Sequence, residues 1–319
     1  MTRVAYSLLA AASLAASSAF AADMPVKAPP PAAPPPSAWD VVVTAALMND
    51  YNFRGITQSD HQPSTQGGFE WRYNWNPNLQ GYAGISGESI DFPNRAAAEI
   101  DGYGGIRPTF GKLATDFGVW YYWYPGGQCY NSAVAGCLPS LPNGNVVKAD
   151  ESFYEFYAKG TYTLNDNVSW GLQEWYSPSV VNSGADGWFT TGNLTLTAPS
   201  SWFPASSGLG GYVSADLGYW ALGTSDSFYA VAGFPNGIPY KSYATWDIGV
   251  GWTYKVLTLD LRYYDTNLNK GDCNAFTSDQ TASGVYSTAI NPGGPGSNWC
   301  SAAFIAKLSA AIDFNSNLK

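Results

Sequence analysis

The only histidine of the sequence, His61, directly follows Ser59 and Asp60. These are the residue types of a hydrolase, in which an imidazole takes the proton of the attacking hydroxyl group. Adjacent residues rarely converge on one reacting atom, and a loop holds them too loosely for efficient catalysis. We therefore predict that the chain is not an enzyme and uses no cofactor, with a lipid hydrolase as the weakest alternative.

The four cysteines could form disulfides or bind zinc. Their spacing suggests two local pairs, Cys129 with Cys137 and Cys273 with Cys300, although four cysteines allow three connectivities and the sequence selects none of them. No C-x-x-C spacing occurs and His61 is remote, which argues against zinc. We predict disulfides formed in an oxidising compartment, and no metal site.

Charged residues make up only 12% of the chain, and they alternate with apolar residues along extended segments. Phe69 and Trp71, for example, alternate with Glu70 and Arg72. Because successive side chains of a strand point to opposite faces, this period separates an apolar face from a charged one. The charged side chains predicted to point inward are Glu70, Arg72, Glu88, Glu99, Asp101, Arg107, Asp116, Glu155, Lys159, Asp216, Asp247, Asp260, Arg262, Lys307 and Asp313. Acids outnumber bases in this set, and only Glu174 falls on the apolar face.

About twelve segments carry this alternation. They begin near Trp39, Thr65, Leu79, Ala98, Lys112, Glu151, Asn167, Gly187, Gly208, Tyr240, Val256 and Ser301. Their lengths suit tilted membrane-spanning strands, which need about 9–11 residues, better than soluble strands of about 5–6. We therefore predict an all-β fold, a transmembrane antiparallel up-and-down β-barrel of twelve strands. Ten or fourteen strands are the alternatives, because the turn near Lys255 lacks the Gly or Asn that a tight hairpin prefers.

The connections between these segments alternate in length, and aromatic residues collect toward the segment ends. Short links such as 76–78 and 165–166 alternate with long ones such as 126–150 and 268–300. Short periplasmic turns, long external loops and aromatic girdles at both interfaces are typical of outer-membrane barrels. Both cysteine pairs then fall in external loops.

The first residues form an export signal rather than a part of the fold. A short apolar run follows Arg3, and a small-x-small cleavage site ends at Ala21. We predict a signal peptide over residues 1–21, a Pro-rich periplasmic tether over 22–38 and the barrel over 39–319. The formal net charge is −9, and loss of Arg3 makes the mature chain more negative by one, which excludes nucleic acid as a partner.

One stretch of the chain resembles a known family. The run Asp50-Tyr51-Asn52-Phe53-Arg54-Gly55-Ile56-Thr57-Gln58-Ser59-Asp60 resembles the start of the TorF-type porin family. The likeness continues through Pro63, Gln66-Gly67-Gly68-Phe69, Gly81-Tyr82-Ala83-Gly84 and Glu99-Ile100-Asp101-Gly102-Tyr103-Gly104-Gly105. These motifs cover residues 50–107, and the resemblance implies an outer-membrane location more firmly than an activity.

The last predicted strand, Phe304 to Phe314, resembles the terminal assembly signal of outer-membrane proteins, although residues 315–319 follow its closing aromatic residue. Together these features favour a porin-like channel of the Gram-negative outer membrane that passes small hydrophilic solutes. An acid-rich lining raises the local concentration of cations, so we expect a modest cation preference. Expected partners are outer-membrane lipid, small polar solutes or ions, and the barrel-assembly machinery. The alternative is a structural or receptor barrel without transport.

Overall fold

Long antiparallel strands form the framework of the fold. The computed structural model describes residues 38–140 and 146–317, so the predicted signal peptide and, apart from Ala38, the predicted tether lie outside the described residues. The strands are β1 (Trp39–Met48), β2 (Asn52–Phe53), β3 (Ile56–Thr57), β4 (Ser64–Asn76), β5 (Leu79–Glu88), β6 (Glu99–Phe110), β7 (Leu113–Trp123), β8 (Phe153–Asn165), β9 (Val168–Ser177), β10 (Gly187–Thr197), β11 (Leu209–Leu222), β12 (Tyr243–Tyr254), β13 (Leu257–Thr266) and β14 (Ala303–Asp313).

Twelve of these strands close into one antiparallel barrel, and β2 with β3 forms a separate hairpin. Neighbours in the sequence are neighbours in the sheet, and the ring closes where Val42 of β1 lies opposite Asp313 of β14. The barrel strands begin within three residues of the positions predicted from the alternation. The predicted fold class and the count of twelve strands are therefore confirmed.

The outer face of the barrel is apolar and the inner face is polar. Phe69 and Trp71 are 45% and 47% exposed, whereas Glu70 between them is 2% exposed. Glu174 lies on the outer face, where it accepts a hydrogen bond of 2.8 Å from Thr190. A closed ladder of backbone hydrogen bonds with an apolar outer band meets the requirement of a bilayer, which offers the backbone no other partners.

The two ends of the barrel differ in the length of their connections. The long connections, which form the loop end, cover residues 49–63, 89–98, 124–152, 178–186, 223–242 and 267–302. The opposite end, the turn end, has mostly short links: the one between β12 and β13 is only two residues long, and the exception is 198–208 between β10 and β11. There Lys255 adopts a φ of 54°, so the left-handed backbone of a tight hairpin forms without glycine.

Two disulfides and a short helix order the loop end. Cys129 bonds Cys137 within one long loop, and Cys273 bonds Cys300 within the last, which confirms the two local pairs. Helix α1 (Lys270–Thr277) belongs to the last loop, and α2 (Phe314–Asn317) follows β14. Three-residue 3-10 turns lie at Val180–Asn182, Ser200–Trp202 and Ser227–Tyr229. In the part of the chain described, no helix is long and apolar enough to cross a bilayer.

The loops pack into a core that fills the barrel at the loop end. Its buried members include Ile56 of the β2–β3 hairpin, Trp220 and Tyr243 of the wall, and Trp299 of the last loop. Rings of Trp220 and Tyr243 lie 5.9 Å apart, and Trp220 is only 2% exposed. The first loop therefore enters the barrel instead of extending away from it.

Candidate functional site in the barrel interior

Strands β4, β6 and β7 carry a charged network, which we call the Glu70 cluster (Glu70, Arg72, Arg107 and Asp116). Arg107 donates to both carboxylate oxygens of Glu70 at 2.8 and 2.9 Å, and to Asp116 at 3.3 Å. Arg72 donates to Glu70 at 2.5 Å and lies 3.5 Å from Asp313. Bidentate arginine–carboxylate pairs are strong and directional. The acids of this wall are therefore largely neutralised by arginines of the same wall.

A second network, the Arg262 cluster (Arg262, Asp216, Asp247 and Asp260), lies on β11, β12 and β13. Arg262 donates to Asp247 at 2.5 Å and twice to Asp260 at 3.0 Å, and lies 3.8 Å from Asp216. One guanidinium thus serves three carboxylates, which leaves this wall with an excess of negative charge. Among the described residues, no hydrogen bond or ion pair joins this cluster to the Glu70 cluster.

The positions of these two networks in the ring are opposite. Strand β12 is six places from β6 in the ring of twelve, so the Arg262 cluster faces the Glu70 cluster across the barrel. Each network is satisfied along its own wall by neighbouring strands. The interior therefore has two separate charged surfaces and not one network that crosses the barrel.

A third acidic group, the Glu88 cluster (Glu88, Glu99 and Asp101), lies at the loop end of β5 and β6. The three side chains belong to residues that are 1–3% exposed. Glu88 and Glu99 are directly opposite each other in the strand register, and Asp101 follows two residues later on the same face. In the described parts of the chain, no arginine or lysine forms an ion pair with any of the three.

The two inward lysines form no ion pair among the described residues, although Lys159 lies opposite Asp116 and Lys307 opposite Asp260 in the strand register. Lys159 Nζ lies 4.3 Å from the ring centre of Tyr157 and 4.4 Å from that of Trp175. Lys307 Nζ donates to the amide oxygen of Gln66 at 3.1 Å. All the charges assigned inward from the sequence register lie on the inner face, and the selectivity assigned to them stays a prediction.

Glu155 is neutralised by an arginine from the first loop. Arg54, at the tip of the β2–β3 hairpin, donates two hydrogen bonds of 2.8 and 2.7 Å to the Glu155 carboxylate. The guanidinium also lies 4.4 Å from the ring centres of both Phe189 and Trp220. Since both side chains of the ion pair are almost fully buried, this contact holds the hairpin inside the barrel.

Sequence reasoning missed the role of Arg54, which it left in an external loop. The available signal was Gly55, because Arg54-Gly55 is a two-residue connection flanked by the strand-forming Phe53 and Ile56. In the structure Phe53 pairs with Ile56, and Arg54 and Gly55 have φ values of 53° and 82°. Glycine is common at the second position of such two-residue hairpins, because both residues of the turn need a positive φ.

The residues considered for a hydrolase do not form a nucleophile–base pair. His61 Nδ1 contacts Asp50 at 2.8 Å, and its Nε2 contacts the carbonyl of Asn298 at 3.1 Å, so both ring nitrogens face acceptors. Ser59 donates to the carbonyl of Gln62 at 2.7 Å. The hydrogen bond to Asp50 raises the pKa of His61 despite partial burial. His61 therefore ties the first loop to the last as a cation.

One further acidic residue of the loop end, Glu151, forms no ion pair among the described residues, since nearby Lys148 pairs with Asp226. Glu151, just before β8, is 8% exposed. Burial, with a smaller contribution from Asp150, raises the pKa of Glu151 to about 8. A single buried carboxyl can thus be satisfied by keeping its proton at neutral pH.

Comparison with known proteins gives one family match and several similar folds. The model of the Gcw_chp family, described as a bacterial protein of unknown function, matches residues 32–140. No curated protein matches the sequence. The NanC porin is 8% identical with a TM-score of 0.40, and the alignment covers 85% of this chain and 98% of that one. The KdgM porin in complex with disordered oligogalacturonate is 7% identical with a TM-score of 0.36, and the alignment covers 86% of this chain and 97% of that one.

LpxR from Salmonella typhimurium is also similar, with 8% identity and a TM-score of 0.41 over 85% of this chain and 99% of that one. The chain is a closed antiparallel β-barrel, and its likeness to these outer-membrane proteins is one of fold. The prediction that the chain is not an enzyme is contradicted, because LpxR is an outer-membrane enzyme and its barrel fold is shared with porins. The sequence argument weighed only Ser59, Asp60 and His61, whereas carboxylates, lysine and tyrosine also transfer protons.

Proposed function

We propose that this chain is an outer-membrane channel for passive diffusion of small hydrophilic solutes, with a modest preference for cations. The observation that carries the proposal is the pair of opposite charged walls, of which the Arg262 cluster keeps an excess of carboxylates. A conduit lined by excess negative charge concentrates cations and repels anions. Its partners are outer-membrane lipid around the apolar face, small polar solutes or ions inside, and the barrel-assembly machinery during biogenesis.

We also propose membership of the TorF-type porins. The motifs behind that resemblance lie in residues 50–107, inside the segment 32–140 that the Gcw_chp model matches. In the structure this segment supplies the inward hairpin, the Glu70 cluster and the Glu88 cluster. The segment behind the resemblance thus supplies the hairpin inside the barrel and one of its two charged walls.

The inward hairpin favours a second candidate, a structural or receptor barrel without transport. The tip of the hairpin packs tightly against the barrel wall, because a Cβ on Gly55 would lie 2.2 Å from Thr266 Cγ2 of β13 and 2.5 Å from Thr245 Oγ1 of β12. Arg54 holds the same tip to Glu155 on β8. A channel therefore needs the hairpin to leave room beside it or to move, whereas an anchor or receptor does not.

Conductance of the purified, folded protein in planar bilayers separates the two candidates. We expect single-channel currents and a reversal potential in a KCl gradient that corresponds to cation preference. Gly55→Ala should increase the conductance, since the added methyl group cannot fit against Thr245 and Thr266 and displaces the hairpin.

Gly111→Ala is the matched control, because Gly111 also has a positive φ of 62° but a Cβ there meets no atom within 4 Å. It should leave conductance unchanged. If the wild-type protein and the Gly55→Ala variant are both folded and neither conducts, the channel is excluded and the structural or receptor barrel is favoured. Anion preference would refute the proposed selectivity.

A further inference from the structure

The Glu88 cluster brings three carboxylates together without a basic partner. One oxygen from each of Glu88, Glu99 and Asp101 lies within 4.8 Å of the other two. Like charges directly opposite each other on antiparallel strands repel, and burial strengthens that repulsion because the medium screens it less. The arrangement therefore requires a source of positive charge.

The hydrogen bonds of the cluster leave two oxygens unsatisfied. Glu99 accepts from Tyr51 at 2.7 Å and from Tyr124 at 3.0 Å, which uses both of its oxygens. Glu88 Oε2 and Asp101 Oδ1, in contrast, are buried and accept no hydrogen bond of normal geometry, although the indole N–H of Trp120, itself unpaired, lies close to Asp101. Buried polar atoms without a partner are rare in folded proteins and call for a ligand.

The remaining oxygens of Glu88 and Asp101 have neutral donors only. Gln66 donates to Glu88 Oε1 at 2.8 Å, and Ser86 approaches Asp101 Oδ2 at 3.4 Å. Lys307, the inward cation of this region, donates to the oxygen of that same Gln66. The chain thus places an amide between its lysine and the acids, and the two unsatisfied oxygens stay available.

We propose that Glu88, Glu99 and Asp101 bind a divalent cation, and that this cation is calcium. Calcium binds carboxylate and other oxygen ligands at about 2.3–2.6 Å, so two of its ligands can be up to about 5 Å apart. The oxygens of the cluster satisfy that limit. Two charges of the metal ion offset most of the three negative charges, and the unsatisfied oxygens of Glu88 and Asp101 become ligands.

The position of the site links the barrel wall to the loops. Tyr51 begins the inward part of the first loop, and Tyr124 is the first residue after β7. Both hydroxyl groups donate to Glu99. Calcium at Glu99 therefore strengthens the point from which the first and third long loops leave the wall.

Terbium luminescence tests the site in the full-length folded barrel in detergent, free of lipopolysaccharide. Tb³⁺ takes the oxygen ligands of Ca²⁺, and nearby Tyr51 and Tyr124 can transfer excitation to it. We expect a saturable signal that CaCl₂ displaces and a rise in the unfolding temperature with CaCl₂. Asp101→Asn and Glu99→Gln should each weaken binding more than about tenfold, since each removes one charged ligand of three.

Asp260→Asn is the control, because Asp260 is an inward carboxylate already paired with Arg262. It should leave the Tb³⁺ signal and the effect of CaCl₂ unchanged. Retained heat-modifiable migration in gels checks that each variant is folded. The proposal is overturned if folded wild-type protein shows no displaceable signal and no CaCl₂-dependent stabilisation, as expected if protons alone satisfy the cluster. Loss of the signal in the control would also overturn it.

Discussion

The Arg262 cluster and the Glu88 cluster each bring three inward carboxylates together on neighbouring strands, but only the first includes a guanidinium. Arg262 contacts Asp216, Asp247 and Asp260 at 2.5–3.8 Å. At the Glu88 cluster the nearest inward lysine contacts an amide instead. The two clusters have equal numbers of carboxylates but differ in how these are neutralised. Those of the Arg262 cluster pair with an arginine, whereas those of the Glu88 cluster keep oxygens available to a ligand.

Two other acids of the interior extend the comparison. Glu155 obtains its arginine from the first loop and not from the wall. Glu151 is buried and forms no ion pair among the described residues, and its raised pKa favours the protonated carboxyl at neutral pH. The number of acids in contact, and the presence of an arginine within reach, decide which form of neutralisation is used. Each prediction below alters one of these conditions.

Replacing Arg262 by methionine should have the largest effect, because it converts the Arg262 cluster into a second group of three acids without a base. Removing one partner of a buried ion pair costs roughly 3–5 kcal/mol. We expect a lower free energy of unfolding in urea, with part of the loss recovered by CaCl₂. Lys112→Met serves as the control, since Lys112 Nζ donates one exposed hydrogen bond to the carbonyl of Leu164.

If Arg262→Met loses no stability, the network is not the source of neutralisation on this wall. If calcium rescues Lys112→Met equally, the recovery is unrelated to the cluster. Either result would remove the contrast between the two acidic groups.

Replacing Glu151 by glutamine should change how stability depends on pH. A carboxyl with a folded-state pKa of about 8, above its ordinary 4.5, binds more protons in the folded state than in the unfolded state. Its contribution to stability is therefore present at low pH and is lost between pH 4.5 and 8, by up to about 1.4 kcal/mol per pH unit. Glu151→Gln should flatten the pH dependence of the unfolding temperature over that range, whereas Asp166→Asn, in an exposed turn, should not.

Breaking the ion pair between His61 and Asp50 should have the smallest effect on stability, because the imidazole of His61 loses its charge as the pH rises. The hydrogen bond to Asp50 raises the pKa of His61 above 6.5, so this pair stabilises the fold fully below pH 6.5 and less as pH rises through the folded-state value. As the only histidine, His61 gives one NMR titration. Asp50→Asn should lower the measured pKa, and a wild-type value at or below 6.5 would contradict this account.

Much of the fold could be predicted from the alternation of residue types. That pattern located the twelve strands and separated Phe69 and Trp71 from Glu70. It did not reveal the inward hairpin, although Gly55 marked its turn, because an inward and an outward loop have the same local sequence. It also treated the inward charges as one set, since no local pattern tells which of them meet.

The sequence by itself determined the strands and their two faces, because these depend on residues close together in the chain. The tertiary structure alone decided which charges neutralise each other. Arg54 is 101 residues from Glu155, and Arg72 is 241 residues from Asp313. Closure of the barrel brings such residues within hydrogen-bond distance, and it leaves Glu88, Glu99 and Asp101 beyond the reach of any arginine of the described chain.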